Sequence, residues 1–387
     1  MSSWPRVPLG DLVVEERPQR SESDVLVWNL NLDQIEPDTG RVLERVRIPQ
    51  FDLGPSTYPF AAGTVLYSKL RPYLNKVVVA DEPGFATTEL VPLRCMPQKA
   101  VPSYIAYFLR SAEFLSFANT VVAGAKMPRM VMSEFWKYQV PLPPIHEQRR
   151  IAAILDKADA LRTKRREALV QLDRLAQSIF LEMFGDPSAN PKGWERRRLD
   201  ELVVEGDSIN YGVVQPGEDV ENGVPLVRVS DLVAGEVQHD ALKRIAPQVE
   251  LAYQRSRLKG DEILVSCVGS VGVVALASQR ERGFNIARAV ARIRIGERAD
   301  REFIAAQLGT RAVQRYFTQE LRTVSQPTLN IKQICETQLI CPPLELQREF
   351  AHRVRAVREV KARLAESESQ TKALFQSVQH RAFHEAL

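Results

Sequence analysis

Apolar residues recur at Ile154, Ala158, Leu161, Ala168, Leu172, Leu175 and Ile179, broken once by Arg165. This four-three alternation is the seam of a coiled coil. No Pro or Gly interrupts the stretch from Glu147 to Phe184, and Gly185 stands where a C-terminal cap belongs. The pattern predicts one helix over 147–184, roughly 57 Å long at 1.5 Å per residue. Before it runs Pro141-Leu142-Pro143-Pro144-Ile145-His146-Glu147-Gln148. Prolines cannot continue a sheet ladder but are tolerated at a helix start, so a globular region ends here and a helix begins. A second stretch without Pro or Gly runs from Glu345 to Leu387. Its seam (Phe350, Val354, Val357, Leu364, Phe375, Val378) is more polar, because Lys361, Glu368 and Thr371 fall on it.

Shorter periods fill the rest. Alternating, β-branched runs predict strands at Val25–Leu32, Gly63–Ser68, Lys76–Ala80 and Glu89–Arg94, and a last one at Trp136–Leu142. Ser103 to Leu115 reads as a helix opened by Pro102, with Ile105, Phe108 and Leu109 on one face. Dense turn residues at Phe184-Gly185-Asp186-Pro187 and Asn190-Pro191-Lys192-Gly193-Trp194 form a linker.

The pattern then repeats. Trp4 and Leu9 recur as Trp194 and Leu199, an offset of 190 residues. Further on the offset becomes 199: Gly84-Phe85 with Gly283-Phe284, Pro128 with Pro327, Pro143-Pro144 with Pro342-Pro343, and Gln148 with Gln347. Between these anchors, Gly63 and Leu66-Tyr67-Ser68 correspond to Gly260 and Leu264-Val265-Ser266. Such a period is far too long for a solenoid and means a duplicated module, a globular unit followed by a long helix. The expected fold class is α+β. Two similar strand-rich domains (1–144 and 187–343) are separated by two long antiparallel helices (145–186 and 344–387) that form a coiled-coil spacer with pseudo-twofold symmetry.

Composition narrows the function. The chain has 387 residues, 44% hydrophobic, with net charge +4, which permits nucleic-acid binding without requiring it. No apolar signal region follows Met1 and no run is long enough to span a membrane, so a cytoplasmic protein is expected. Cys95, Cys267, Cys335 and Cys341 form no CxxC pair. There is no P-loop, and Gly269-Ser270-Val271-Gly272 reads as a tight turn between strands. His380 and His384 lie four apart with no third ligand nearby, which fits an exposed helix face better than a metal site. No acid–base pair is placed by spacing. Recognition or scaffolding, with no catalysis and no metal, is the expectation; an active site formed only across the heads, such as a nuclease, is a competing one.

Residues suited to DNA gather in the predicted loops. In the first head these are Lys69, Arg71, Tyr73, Asn75 and Lys76, with Lys126 and Arg129 beside Pro128. In the second they are Tyr211, Gln215, Arg228, Arg288, Gln326, Asn330 and Lys332. Arg and Lys can read guanine, Asn and Gln adenine, and the cations also neutralise phosphates. Taken singly, each reads as solvated surface; the set reads as a DNA-binding surface. Arg162, Lys164, Arg165 and Arg166 form a basic belt on the first helix, either a solvated face or a contact for DNA or an acidic partner.

The launch Pro141-Leu142-Pro143-Pro144 with Glu147-Gln148, Ile151 and Ile154-Leu155-Asp156, followed by Met183-Phe184-Gly185-Asp186-Pro187 and Asn190-Pro191-Lys192-Gly193-Trp194, resembles the specificity (S) subunit of type I restriction–modification enzymes. The resemblance covers the whole chain. It implies that each head is a target-recognition domain reading one half of a bipartite site in double-stranded DNA. It implies that the helices set the spacing and dock two methyltransferase (M) subunits, with restriction (R) motor-nuclease subunits joining in some assemblies. S-adenosylmethionine, ATP and Mg would then sit on those partners and none on this chain. Pro143, Pro144, Glu147, Gln148, Ile151, Leu155 and Gln347 are the expected partner-binding positions. Leu346 departs from the Glu of the first launch, so the first launch is expected to make the stronger contact. A coiled-coil adaptor that binds proteins and no DNA is the alternative.

Overall fold

Arg6–Pro8 pairs antiparallel with Gln139–Pro141, and Arg196–Arg198 pairs the same way with Gln338–Ile340. Each pairing clamps the entry of a head to its exit. Two backbone bonds repeat across the heads: Leu9 N donates to Tyr138 O (2.9 Å) as Leu199 N does to Thr337 O (3.0 Å), and Leu142 N to Pro5 O (2.8 Å) as Cys341 N to Glu195 O (2.8 Å). The computed structural model describes residues 4–15, 25–321 and 327–384. The chain divides into two units, one of residues up to Ala168 together with those from Leu364, the other of Leu169–Arg363.

The first unit contains a four-stranded antiparallel sheet in the order Val13–Glu15, Leu90–Cys95, Val65–Ser68, Val77–Val79. A second sheet runs Arg47–Pro49, Leu26–Leu30, Gly84–Thr87, Thr57–Phe60, with its middle pair parallel. The second unit repeats the first sheet as Asn210–Tyr211, Val290–Arg294, Glu262–Ser266, Val274–Leu276. It repeats the parallel pairing as Val224–Val227 with Asn285–Ile286. The sequence repeat is therefore a repeat of strand order.

Two predicted elements differ. The helix expected over 103–115 is two, Pro102–Leu109 and Ala112–Thr120. Ser111 ends the first by capping the second, its side chain accepting from Phe114 N; a serine there offers the backbone an alternative to continuing the helix. The strand expected over 136–142 is only Gln139–Pro141, because Met132–Lys137 is a short helix that buries Phe135. The turn at Gly269–Gly272 lies between two strands, as its glycines suggest.

The long helices span Ile145–Phe184 and Leu344–His384, and Gly185 N closes the first on Leu181 O (2.9 Å) at φ +80°. Each unit holds a segment of both. In the first unit Ile151 and Leu155 join Phe375, Ala382 and Phe383 in one core with Tyr104 and Phe108. There the guanidinium of Arg162 lies 4.6 Å from the Phe375 ring centre and Arg165 donates to Ser367 O. In the second unit Phe180, Phe184, Phe303 and Phe350 form a cluster of rings 4.8–6.0 Å apart, and Lys361 pairs with Asp173. Residue numbers rise on one helix as they fall on the other, so the segments pair antiparallel in both units. Aromatic packing at the helix ends carries more of the burial than the seam does: Leu161 is 55% exposed and Leu175 45%.

The second unit also buries charge. Arg292 contacts Asp207 (2.7 Å) and Glu262 (3.5 Å), and Arg294 bridges Asp207 and Asp261. Burial pushes the Asp207 carboxyl up, but the Ser208 N–H, the charge of Arg292 and bonds from both arginines outweigh it and hold the group below its usual value. A carboxylate with a depressed folded pKa contributes stability above its unfolded pKa and loses it as pH falls through the folded one. Acid titration below about pH 4 should therefore destabilise this unit, and Asp207→Asn should flatten that acid limb in thermal melts taken across the range.

Candidate nucleic-acid interface

Both heads build one surface from two loops that are distant in sequence. In the first head an isolated bridge joins Leu70 to Arg129, Arg71 N donates to Pro128 O (2.7 Å) and Met130 N to Lys69 O (2.8 Å). In the second, Val268 bridges Thr328, Gly269 N donates to Pro327 O (3.2 Å) and Leu329 N to Cys267 O (2.9 Å). Strand turns pinned this way hold their side chains at defined points, as a recognition surface on a rigid scaffold requires.

Within the first head the loops bring Lys69, Arg71, Tyr73 and Arg129 together, with Lys126 between Val122–Ala123 and Arg129–Met130 of a small hairpin. Arg71 and Lys126 are exposed, and Tyr73 is 52% exposed. Three expected DNA residues are already engaged. Asn75 is buried, donating to Asp38 Oδ1 (3.0 Å) and Arg110 O (3.2 Å). Lys76 spends its ammonium on Leu32 O (2.6 Å), and burial lowers its pKa. Arg129 forms a two-pronged pair with Glu89 (2.7 Å), whose carboxyl is held low first by that hydrogen bond. Asn75 and Lys76 thus shape the loop from behind instead of facing outward.

In the second head three segments converge: Arg288 N donates to Val213 O (2.8 Å) and Ala287 N to Val227 O (2.9 Å). This places Tyr211, Arg228 and Arg288 near one another. The Tyr211 hydroxyl donates to Leu329 O (2.9 Å), and burial raises its pKa to about 12. Arg228 is held by Asp231 and Ala241 O, whereas Arg288 and Gln215 are exposed. Asn330 caps a short helix, its N–H donating to the Gln333 side chain (2.8 Å); Lys332, on the same helix, is exposed. Gln326 lies outside the described residues.

Gly212 is a site component that the residue-type search missed. A Cβ there would fall 1.6 Å from Ile286 O, so no other residue lets these strands approach. Its signal was a glycine inside a β-branched run, Tyr211-Gly212-Val213-Val214, which marks close backbone contact. The basic belt is turned inward for the most part. Arg162 pairs with Asp159 (3.1 Å), Arg166 with Glu36 (2.9 Å) and Arg165 with Ser367 O, leaving Lys164 exposed.

The two launches have the same burial pattern residue for residue from Leu142 to Ile151 and from Cys341 to Phe350. Gln148 is 0% exposed: it accepts from Val101 N (2.9 Å) and donates to Lys99 O (2.9 Å) and Pro143 O (2.9 Å). Gln347 is 1% exposed, accepting from Asp300 N (2.9 Å) and donating to Pro342 O (2.7 Å). Pro143, Gln148, Ile151, Leu155 and Gln347, expected as partner contacts, are buried in their own units and anchor helix to head. Pro144 and Glu147 keep exposed surface. Leu346, which replaces the glutamate, packs on the second core.

Among the described residues no group of three or more His, Cys, Asp or Glu could hold a metal ion, and no helix is long and apolar enough to cross a membrane. His384 pairs with Glu113 (3.2 Å) and stacks on His380.

A head that occurs twice, each copy with a pinned loop pair and a helix launched from its neck, defines a class of proteins built from a duplicated module. The chain belongs to the type I restriction modification DNA specificity domain family, whose model matches residues 55–171 and 191–371. It is 26% identical over 304 residues to the type I restriction enzyme EcoBI specificity subunit of Escherichia coli, a match covering 72% of this chain and 64% of that one. The MjaIX specificity subunit of Methanocaldococcus jannaschii is 27% identical over 195 residues, covering 46% and 44%. The chain thus spans less than two thirds of the length of these relatives. The same fold occurs in the type I restriction–modification S subunit from M. genitalium (TM-score 0.61, 13% identity, 99% of this chain and 96% of that one). It occurs also in a chain solved for complex assembly and conformational transition of the type I R-M system (TM-score 0.58, 22% identity, 99% and 98%).

Proposed function

We propose that this chain is the DNA sequence-recognition subunit of a type I restriction–modification complex and performs no catalysis itself. Each head reads one half of a bipartite site in duplex DNA. The long helices set the distance between the halves and dock methyltransferase subunits, which bring S-adenosylmethionine. Where a motor-nuclease subunit joins, ATP and Mg belong to it. The observation that carries this reading is the loop pair: the same backbone bonds recur in both heads, yet the side chains they present differ. A conserved frame with exchanged side chains is what two different half-sites demand.

Methylation mapping in cells with and without the chain tests the reading; a pattern lacking two defined half-sites would sink it. Binding of the purified chain, alone or with the methyltransferase it co-purifies with, should weaken steeply as salt rises from about 50 to 200 mM, since cations on the loops release phosphate counterions. A duplex affinity indifferent to salt would favour a protein adaptor instead.

A further inference from the structure

We propose that Arg71 is the residue with which the first head fixes a G·C pair of its half-site, and that the second head, with Gly269 in the same place, reads no base edge from that position. This rests on the chain being a specificity subunit. Arg71 and Gly269 occupy one site in the duplicated frame. Each lies between equivalent strands of its own head, each donates its N–H to the proline carbonyl of the partner loop, and each flanks the bridging residue, Leu70 or Val268. Their backbones agree as well: φ is +50° at Arg71 and +77° at Gly269.

That conformation favours glycine, because in other residues the Cβ crowds the backbone. The second head follows the rule and the first breaks it. Packing gives no reason for the exception. A Cβ built on Gly269 would meet nothing within 4 Å, so the position opens to space. The Arg71 side chain is exposed, and among the described residues it makes no hydrogen bond, ion pair or ring contact. Its backbone is held from both sides, the N–H on Pro128 O and the carbonyl accepting from Leu74 N (2.9 Å). A strained residue that the fold clamps but does not use is a mark of function.

The chemistry follows from what surrounds it. Arg129 is neutralised by Glu89 and Lys76 is tied to Leu32, so the loop pair offers outward the ammonium of Lys126 and one planar fork, that of Arg71, with exposed Tyr73 beside it. A guanidinium fork matches the O6 and N7 acceptors of guanine in the major groove with two fixed donors; lysine reaches the same acceptors only as a flexible point charge, without the planar fork, and so discriminates less.

The test is selection from a random duplex pool by the full chain, alone or with its co-purifying methyltransferase, comparing wild type, Arg71→Gly and Arg71→Lys. R71G installs the residue the second head already uses, so its melting temperature should hold or rise. Both variants should lose preference for one G·C pair by about ten- to a hundredfold, with the other half-site unchanged and the R71K salt dependence retained. Two results overturn the assignment: variants that select the wild-type pattern, or an R71G that weakens uniformly on all sequences while R71K does not, the behaviour of a phosphate contact. A wild-type chain that selects no two-part site sinks the functional reading and Arg71 with it; a two-part site that R71G leaves intact sinks Arg71 alone.

Discussion

Exchanging residues 195–340 for the second head of another family member changes one half of the methylated pattern completely and leaves the other half as it was. The cut points fall at a neck where entry and exit are already joined. Arg196–Arg198 lies against Gln338–Ile340, and Cys341 N reaches Glu195 O at 2.8 Å. A graft made there keeps the pairing that closes the head. The first head's sheets contain no residue from 195–340, so its loop pair should not move. The donor must still present an apolar face to Phe180, Phe184 and Phe350, because this head shares its core with the helix ends. Methylation mapping gives the readout. If both halves change, the heads are not independent readers; if neither does, the second head does not read DNA.

Gln148→Glu and Gln347→Glu each unfold or strongly destabilise one unit. The two side chains are fully buried, and each joins the N-terminal end of a head helix to the proline launch of a long helix. A carboxylate in that place meets carbonyl oxygens where an amide N–H₂ stood. It must either stay charged among acceptors or take up a proton in a dry site. Breaking a buried polar arrangement by changing one partner costs about 3–5 kcal/mol. For a unit of this size that is a drop of roughly 6–20 °C in melting temperature. Hydrogen exchange should localise the loss to the first unit for Gln148 and to the second for Gln347. Wild-type melting in either variant would show that the glutamine is a bystander. Gln148→Met, of similar length and with no charge, should cost less than Glu, which separates buried charge from lost hydrogen bonds.

These glutamines show where residue type and position can mislead. They stand in the launch motif, where the family resemblance implies partner contacts. Tertiary structure turns them inward, because a Gln at that register faces the head and completes the hydrogen bonds of Val101 and Asp300. Asn75 and Lys76 were misleading for the same reason. A polar side chain in a loop can face DNA or hold the loop's own carbonyls, and only the fold around it chooses.

Periodicity and duplication were legible directly. A seam of apolar residues without Pro or Gly dictates a long helix whatever surrounds it, since helical hydrogen bonds are local. Anchors kept in the same order at closely similar offsets dictate two similar heads, since equal sequence order builds equal strand order. What the sequence could not determine depends on contacts distant along the chain. The pairing of residue 70 with 129 and of residue 268 with 328, the sharing of both helices by each unit's core, and the close approach at Gly212 all arise only when segments meet. The left-handed turn at Arg71 belongs with them. No local rule places an arginine there; the partner loop's proline carbonyl holds it in that conformation.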